Sequence, residues 1–215
     1  MVQHYIKPQV PRIFGVIQRT RLLQKLQLAP EYKLVLICAP PGYGKTTIAA
    51  QFAQQTPYPV VWQTIEERER DFPTFYSQCV ASFSQLFPEI QTLAAAPQYE
   101  PSELASTVTN FLRDNIHDDV IYVLDDVHRV LGSPMCETWL QAFIALIPAK
   151  CHVVVISRTL PSLPLTEMIA RREVLAVGQQ ELRFQPDEIT QLAQYMHPNS
   201  SASKQVQDLF TRLEG

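Results

Sequence analysis

The sequence predicts an α/β fold in which helices cover both faces of a parallel sheet. Short apolar runs of strand length alternate along the chain with longer segments whose apolar residues recur at helical spacing. The first run, residues 33–38, is apolar almost throughout, which is typical of a strand buried on both of its faces. Strands that alternate with helices favour right-handed crossovers and parallel neighbours.

The predicted strands are rich in branched and aliphatic residues. We expect strands at residues 33–38, 60–62, 120–124, 151–157 and 173–177. The first strand runs into a glycine-containing loop, and a helical pattern over residues 46–54 follows. Residues 33–62 therefore predict a β-loop-α-β unit.

Helical patterns occupy most of the remaining chain and begin at capping residues. Helices are predicted from about Arg19, after Asp71, after Ser102 and before Pro148. Asp71 and Ser102 are interpreted as caps, because their side-chain oxygens can accept from free N–H groups of a first turn. The apolar stripe after Asp71 continues to Phe87, and the proline-marked residues 88–101 predict a surface excursion. The apolar face of the helix before Pro148 is made of Met135, Trp139, Phe143 and Leu146.

The domain organisation follows from where the strand signals begin and end. Residues 1–32 are interpreted as a lead-in with one short helix, and residues 33–178 as the α/β domain. From residue 179 onward the pattern is helical only, with candidate helices over 186–196 and 201–213. We expect residues 179–215 to be the beginning of a second, all-helical unit that is incomplete here.

Composition and charge exclude several classes of function. Hydrophobic residues make up 46% and charged residues 18% of 215 positions, as in ordinary globular proteins. The net charge of −3 and the absence of a Lys/Arg block disfavour direct DNA binding. The first residues lack the charged and apolar regions of a signal peptide, and no apolar run reaches bilayer length, so we expect neither secretion nor a membrane span. The four cysteines form no CxxC pair, so we interpret them as buried thiols of a cytoplasmic protein without a membrane partner.

A glycine loop between the first strand and the next helix carries the clearest chemistry. It consists of Ala39, Pro40, Pro41, Gly42, Tyr43, Gly44, Lys45, Thr46 and Thr47. A glycine loop that runs into a helix amino terminus supplies N–H donors and a favourable dipole to phosphates. Lys45 is expected to reach the β and γ phosphates, Thr46 to bind Mg²⁺ and Thr47 to lie near the α phosphate. The loop therefore predicts a site for ATP or ADP with Mg²⁺.

The loop departs from the usual motif at its first position. Ala39 stands where glycine is usual, and Pro40 and Pro41 have no N–H to donate. The donors must then come from residues 42–47. The alternative is a chance match on an ordinary turn, but the strand before the loop and the helix after it favour the phosphate site.

Two further strand ends carry candidate site residues. Asp125 and Asp126 close the third strand, and ligands bind at the carboxyl ends of strands in open α/β sheets. We expect Asp125 to hold the magnesium through water and Asp126 to orient or deprotonate an attacking water. Arg158 ends the fourth strand and is either a sensor of the γ phosphate or an ordinary surface residue. His128 is interpreted as a hydrogen-bonded loop residue.

Taken together, these motifs resemble the STAND class of signal-transduction ATPases, and within it the LuxR-type, MalT-like transcriptional regulators. The resemblance is carried by residues 19–23, 39–47, 62–67, 75, 124–128, 157–161, 182–184 and 212–215. It implies a P-loop NTPase sheet in the order 5-1-4-3-2 and a sensor role for Arg158. It also implies that Ile17 and Arg19 lie on the adenine side of the nucleotide, and it makes Ala39 an ordinary variant.

The resemblance also implies a place within a longer regulator. Such proteins continue past the final Glu-Gly with further domains, often including a DNA-binding helix-turn-helix, so we expect this chain to be an amino-terminal fragment. DNA would then be contacted only by a missing carboxyl-terminal domain. Self-association is expected in the ATP state of the whole protein.

The function expected from the sequence is a regulatory switch with weak ATPase activity, in which Lys45 and Asp126 serve catalysis. Two alternatives stay open. One is an efficient ATPase or a kinase-type P-loop enzyme, in which Asp126 acts as a strong base. The other is an interaction module that binds nucleotide without hydrolysing it.

Overall fold

Five parallel strands form the central sheet of the computed structural model, which describes residues 10–94 and 100–196. The strands are β1 (Leu34–Cys38), β2 (Val60–Thr64), β3 (Val120–Asp125), β4 (Cys151–Ser157) and β5 (Val174–Val177). Their order across the sheet is β2-β3-β4-β1-β5. This is the predicted order 5-1-4-3-2 counted from the other edge, so the expected fold class and topology are confirmed.

Helices connect the strands and flank the sheet. They are α1 (Thr20–Leu26), α2 (Lys45–Gln55), α3 (Phe72–Phe83), α4 (Pro101–Asn115), α5 (Pro134–Leu146), α6 (Leu165–Ala170), α7 (Gln179–Leu182) and α8 (Pro186–Met196). Within the described ranges, none of these helices is both long and apolar enough to cross a bilayer. The predicted helix over 201–213 lies outside the described residues, and so does the first part of the lead-in.

The helix caps agree with the sequence at one position and differ at another. Asp71 caps α3 as predicted, since its carboxylate accepts from the N–H of Thr74 at 3.2 Å. The prediction for Ser102 is wrong, because the cap position is two residues earlier, at Glu100, and α4 begins at Pro101. Proline is favoured in the first turn because its fixed φ suits a helix and its missing N–H would be unpaired there.

The segment after α3 is more ordered than a surface excursion. Residues Pro88–Leu93 form a 3₁₀ helix in which Ile90 is completely buried. The carbonyl of Leu93 accepts from the Tyr76 hydroxyl at 2.9 Å and ties this segment back to α3. Phe87 lies beyond the end of α3, although the apolar stripe predicted it on that helix. The prediction of a surface excursion rested on the prolines, and it did not anticipate that Ile90 is buried.

Two hydrophobic clusters, one on each face of the sheet, hold the layers together. Along β1, Leu34 and Leu36 belong to one cluster while Val35 and Ile37 belong to the other, as strand geometry requires. Helices α3, α4 and α5 cover the first face, and α1 and α2 cover the second. The first face is aromatic. Its ring pairs include Phe83 with Tyr122 at 4.5 Å and Trp139 stacked on Phe143 at 4.7 Å.

Helix α5 buries a face that is rotated from the one that the sequence predicted. Trp139 and Phe143 are fully buried, whereas Met135 and Leu146 are 47% and 40% exposed. The buried face is completed by Cys136, Leu140 and Ile144. Both apolar sets fit a helical period, and only the position of α4 and the sheet decides which of them faces inward.

The cysteines are free thiols among the described residues. Cys79, Cys136 and Cys151 are buried, and burial raises the pKa of each, that of Cys151 to about 12. These three side chains therefore behave as small apolar core residues at neutral pH. Cys38 is only partly buried, at the end of β1.

Replacing Phe143 with Ala should destabilise the domain by about 3 to 5 kcal/mol, because a fully buried ring is lost and a cavity remains. The matched control is Leu146→Ala on the same helix, whose side chain is 40% exposed. Urea denaturation followed by circular dichroism measures both variants. Equal losses of stability would contradict the described packing of α5.

Candidate nucleotide-binding site

Strand order gathers the candidate residues at one edge of the sheet. β4 pairs in parallel with both β1 and β3, with Ser157 opposite Cys38 and Val155 opposite Leu124. The glycine loop after β1, the carboxylates at the end of β3 and Arg158 after β4 therefore share the carboxyl edge. This is where open α/β sheets bind their ligands.

The glycine loop has the backbone shape that a phosphate site requires. Gly42 and Gly44 have φ angles of +88° and +71°, which strain any residue with a Cβ. A Cβ placed on either glycine would meet no atom within 4 Å, so the space beside them is open. Ala39, in contrast, is buried, and its N–H donates to the carbonyl of Ser157 at 3.4 Å. Alanine therefore fits this first position as part of the core.

The amide donors of the site lie at the beginning of α2. Gly44 caps this helix, and the N–H of Ile48 donates to the Gly44 carbonyl at 2.9 Å. The N–H groups of Lys45, Thr46 and Thr47 precede that bond and have no partner within the helix. Together with the helix dipole they form an anion site. Pro40 and Pro41 are exposed and donate nothing, as expected.

Lys45 is buried at the centre of this loop. Its ammonium group donates to the carbonyl of Pro40 at 2.9 Å, which holds it beneath the open face of the loop. Burial lowers the pKa of Lys45, and the charge of Arg158 lowers it further, while Asp126 and Asp125 oppose both effects. Arg158 is itself exposed. Its charge therefore acts on Lys45 from an exposed position.

Thr46 and Asp125 form a pair suited to a hydrated magnesium ion. The Thr46 hydroxyl donates to Asp125 Oδ1 at 3.1 Å, and the N–H of Asp126 donates to the same oxygen at 2.9 Å. Asp125 is only 2% exposed, and burial together with the charge of Asp126 raises its pKa to about 6. Hydroxyl and carboxylate oxygens are the donors that Mg²⁺ prefers. The pair fits the ion that the sequence predicts.

Asp126 precedes a short 3₁₀ turn, Val127–Arg129, and is held by one side chain of that turn. Its φ of +60° is left-handed, and Arg129 Nε donates to its Oδ2 at 3.3 Å. His128 Nδ1 lies 3.7 Å from its Oδ1, yet this buried nitrogen has no hydrogen-bond partner among the described residues. The hydrogen bond expected for His128 as a loop residue is therefore not made by its Nδ1 within the described part of the chain. The sequence prediction did not include Arg129. Its position three residues after Asp126 could have indicated this contact, because side chains at that spacing can meet in a turn.

A cleft of about 150 Å³ continues the site beyond the glycine loop. One wall is the lead-in with Ile17 and Arg19, and another is α2 with Thr47 and Gln51. Gln51 Nε2 donates to the Ile17 carbonyl at 2.9 Å and joins these two walls. Since ligand sites commonly exceed about 300 Å³, the cleft alone has room for only one part of a ligand of nucleotide size. The structure thus brings the predicted Ile17 and Arg19 beside the loop.

The third wall of the cleft comes from the end of the described chain. Phe184 and Leu192 line it, and Arg19 lies over the Phe184 ring at 4.4 Å. Arg19 is 6% exposed and donates to the carboxylate of Glu188 and to backbone carbonyls. No sequence signal could find this, because 169 positions separate Arg19 from Glu188.

A family comparison places this site in a known class of domains. The family model described as AAA domain matches residues 31–164 of the chain. The chain belongs to the AAA domain family. Its matched region contains the glycine loop, both aspartates and Arg158, whereas the lead-in and α7–α8 lie outside it.

Curated relatives of this AAA domain are bacterial transcriptional regulators. It is 29% identical over 208 residues to the HTH-type transcriptional regulator MalT of Vibrio parahaemolyticus, which covers 95% of this chain and 23% of the relative. MalT of Vibrio campbellii is 31% identical over 209 residues, with the same coverage. The chain spans less than a quarter of the length of these relatives. The expected resemblance to MalT-like P-loop ATPases is confirmed.

Solved structures confirm the fold of the AAA domain. A signal transduction ATPase with numerous domains (STAND) and a tetratricopeptide repeat sensor, from Pyrococcus horikoshii, matches with a TM-score of 0.68 at 20% identity, over 94% of this chain and 28% of that chain. A Walker-type ATPase of Pyrococcus abyssi matches with a TM-score of 0.56 at 13% identity, over 96% of this chain and 66% of that chain.

In the metal-free protein, Asp125→Asn should raise the free energy of unfolding at pH 8 by roughly 1 to 3 kcal/mol. The folded pKa of about 6 exceeds the usual 3.8, so an ionised Asp125 destabilises the fold above pH 6. This penalty fades as the pH falls toward 3.8. Urea denaturation in EDTA at pH 8 and pH 4.5 measures it. An advantage of the variant that grows on acidification would contradict the assignment.

Proposed function

We propose that this AAA domain is an ATP- and ADP-binding, magnesium-dependent switch with slow hydrolysis, within a regulator of transcription that self-associates in its ATP state. The observation that carries the proposal is the convergence of Lys45, the Thr46–Asp125 pair and Asp126 on one open glycine loop. The likeness to HTH-type transcriptional regulators supports the regulatory part.

The loop and α2 would bind the phosphates. The unpaired N–H groups of residues 45–47 and the open side of Gly42 and Gly44 favour an anion there. Lys45 would exchange its bond to the Pro40 carbonyl for a phosphate oxygen, which also restores a counter-charge to a buried ammonium group. Mg²⁺, held by Thr46 and through water by Asp125, would neutralise charge on the β and γ phosphates.

Slow hydrolysis fits the surroundings of Asp126. This carboxylate faces the rim of the site, where it could orient or deprotonate a water molecule. Arg129 already donates to it at 3.3 Å, so the base is engaged by a cation before any substrate arrives. Arg158, exposed at the rim and close enough to influence Lys45, is suited to distinguish a triphosphate from a diphosphate by direct contact. These features favour slow hydrolysis, which would limit the lifetime of the ATP state, over fast catalysis.

DNA contact is not assigned to the described surface of this domain. The chain carries a net charge of −3, whereas DNA-binding surfaces concentrate positive charge. In the proposed regulator, DNA would be bound by another domain, and the region after residue 178 would begin a helical unit. The nucleotide and further copies of the protein are therefore the partners proposed for this domain.

Lys45→Ala should weaken ATP and ADP binding at least about tenfold, since a charge-assisted contact to phosphate is lost. Isothermal titration in Mg²⁺ measures both affinities. The matched control is Lys33→Ala, which precedes β1 at the opposite end of the strand and donates to the Ala145 carbonyl. This control should bind as wild type does. Failure of the wild-type domain to bind either nucleotide would refute the proposal.

Asp126→Asn should keep ATP affinity while it lowers phosphate release about 10²- to 10⁴-fold, as for loss of a general base. Steady-state phosphate release measures this, with exposed Asp118→Asn at the opposite edge as the control. Wild-type turnover should stay below about one per second. Faster turnover, or phosphate transfer to an acceptor, favours an efficient ATPase or kinase. An Asp126→Asn variant with unchanged hydrolysis contradicts the assigned base.

A further inference from the structure

Three cations of the lead-in helix reach across to the segment that follows β5. Arg19 donates to the carbonyls of Leu182 and Arg183, both at 2.9 Å. Arg21 donates to the Glu181 carbonyl at 2.6 Å, and Lys25 pairs with the Glu181 carboxylate. The carbonyls of residues 181–183 lie at the carboxyl end of α7, where cations are favourable. The lead-in is thereby bound to a segment far away in sequence.

Glu188 is the centre of this network. Its Oε2 accepts from Arg19 Nε at 3.2 Å, from Arg19 Nη2 at 3.1 Å and from Arg21 Nη2 at 3.2 Å. The N–H of Gln185 donates to the same oxygen at 3.0 Å. Arg21 Nε lies 3.1 Å from Oε1 as an ion pair without hydrogen-bond geometry. We call Arg19, Arg21 and Glu188 the clasp.

Two members of the clasp are buried, the third, Arg21, is partly exposed, and both arginines depend on the one carboxylate. Arg19 and Glu188 are 6% and 4% exposed. Burial alone would raise the pKa of Glu188, but the bonds from Gln185, Arg19 and Arg21 outweigh it and lower the pKa. Glu188 is therefore ionised at neutral pH. Removing one member of such a group leaves the opposite charge buried without a partner. The resulting loss of folding stability is larger than the stability that the intact pair contributes.

One member of the clasp, Arg19, lines the cleft beside the glycine loop. Arg19 lies over the ring of Phe184 at 4.4 Å, and Phe184 and Leu192 line the same cleft as Gly44 and Thr47. A second link is made at the loop itself, where Gln179 Nε2 donates to the Tyr43 hydroxyl at 2.9 Å. Helices α7 and α8 thus contact both the loop and its neighbouring cleft.

We propose that Glu188 is a positioning residue of the nucleotide site, which acts through Arg19 to hold Phe184 and α8 against the cleft that receives the nucleoside part of the ligand. This inference rests on the proposed function. The nucleoside and α8 then stabilise each other, because each completes the surface on which the other packs. Such coupling is reciprocal. Docking of α8 increases the affinity for the nucleotide by the same factor by which a bound nucleotide favours the docking of α8.

The arrangement would couple nucleotide binding to a helix outside the region that the AAA family model matches. Helix α8 lies beyond the residues matched by the family, 31–164, and residues 197–215 follow it directly. Arg19 would serve the nucleoside by positioning Phe184, over whose ring it lies at 4.4 Å.

Glu188→Gln should weaken ATP binding about tenfold, within the usual range of coupling between sites, and leave Mg²⁺–tripolyphosphate binding unchanged. Tripolyphosphate occupies the loop but has no nucleoside for the cleft. Isothermal titration measures both ligands. Glu188→Asp, which keeps the charge, should restore a large part of the ATP affinity. The control is Glu67→Gln, whose side chain is 69% exposed and only pairs with Arg70.

Hydrogen exchange tests the reciprocal effect on the helix. ATP should slow amide exchange in α8 of the wild-type domain and should not do so in Glu188→Gln. If the charge change unfolds the domain, Phe184→Ala replaces it, because Phe184 is only partly buried and the clasp stays intact. This variant should show the same selective loss of ATP binding.

The outcomes separate this inference from the proposed function. Wild-type ATP binding that Lys45→Ala abolishes and Glu188→Gln leaves unchanged would overturn the positioning role alone. Equal losses for ATP and tripolyphosphate in Phe184→Ala would also overturn it, because the effect would not follow the nucleoside. A wild-type domain that binds no ATP would overturn the proposed function itself, and the positioning role with it.

Discussion

The parallel pairing of β4 with both β1 and β3 is the constraint on which the candidate site depends. It separates the glycine loop from Asp125 by the width of one strand, so that β1 and β3 lie about 10 Å apart. The first turn of α2 bridges that distance, and the Thr46 hydroxyl meets Asp125 at 3.1 Å. With another strand between them, the glycine loop and Asp125 would lie too far apart for the Thr46 hydroxyl to reach the carboxylate.

The electrostatics of the site favour a charged ligand. Burial shifts the pKa of Lys45 downward and that of Asp125 upward, so both groups are displaced toward their neutral forms. Each lacks sufficient opposite charge nearby. An anion beside Lys45 and a cation beside Asp125 would supply what each needs, and a nucleotide with Mg²⁺ provides both. The domain tolerates this strain because two well-packed aromatic and aliphatic layers hold the sheet.

The site extends beyond the matched AAA region at both ends of the chain. Ile17 and Arg19 precede the matched residues, while Phe184, Glu188 and Leu192 follow them. These two segments meet only because α1 and α7 pack on the same face of the sheet as α2. The glycine loop and both aspartates thus lie inside the matched region, whereas the clasp residues lie outside it.

The sequence by itself determined the strands, the glycine loop and the two aspartates, because each depends on neighbouring residues: an apolar run, glycines with positive φ, and polar groups at a strand end. It did not identify the cap of α4 or the inward face of α5. In each case two alternatives, two possible cap positions or two apolar faces, were equally compatible with the local sequence. Only the tertiary structure decided that Arg19 pairs with Glu188, 169 positions away. Such a contact leaves no local pattern, since it depends on how α1 and α8 pack across the sheet edge and on the charge that their burial requires.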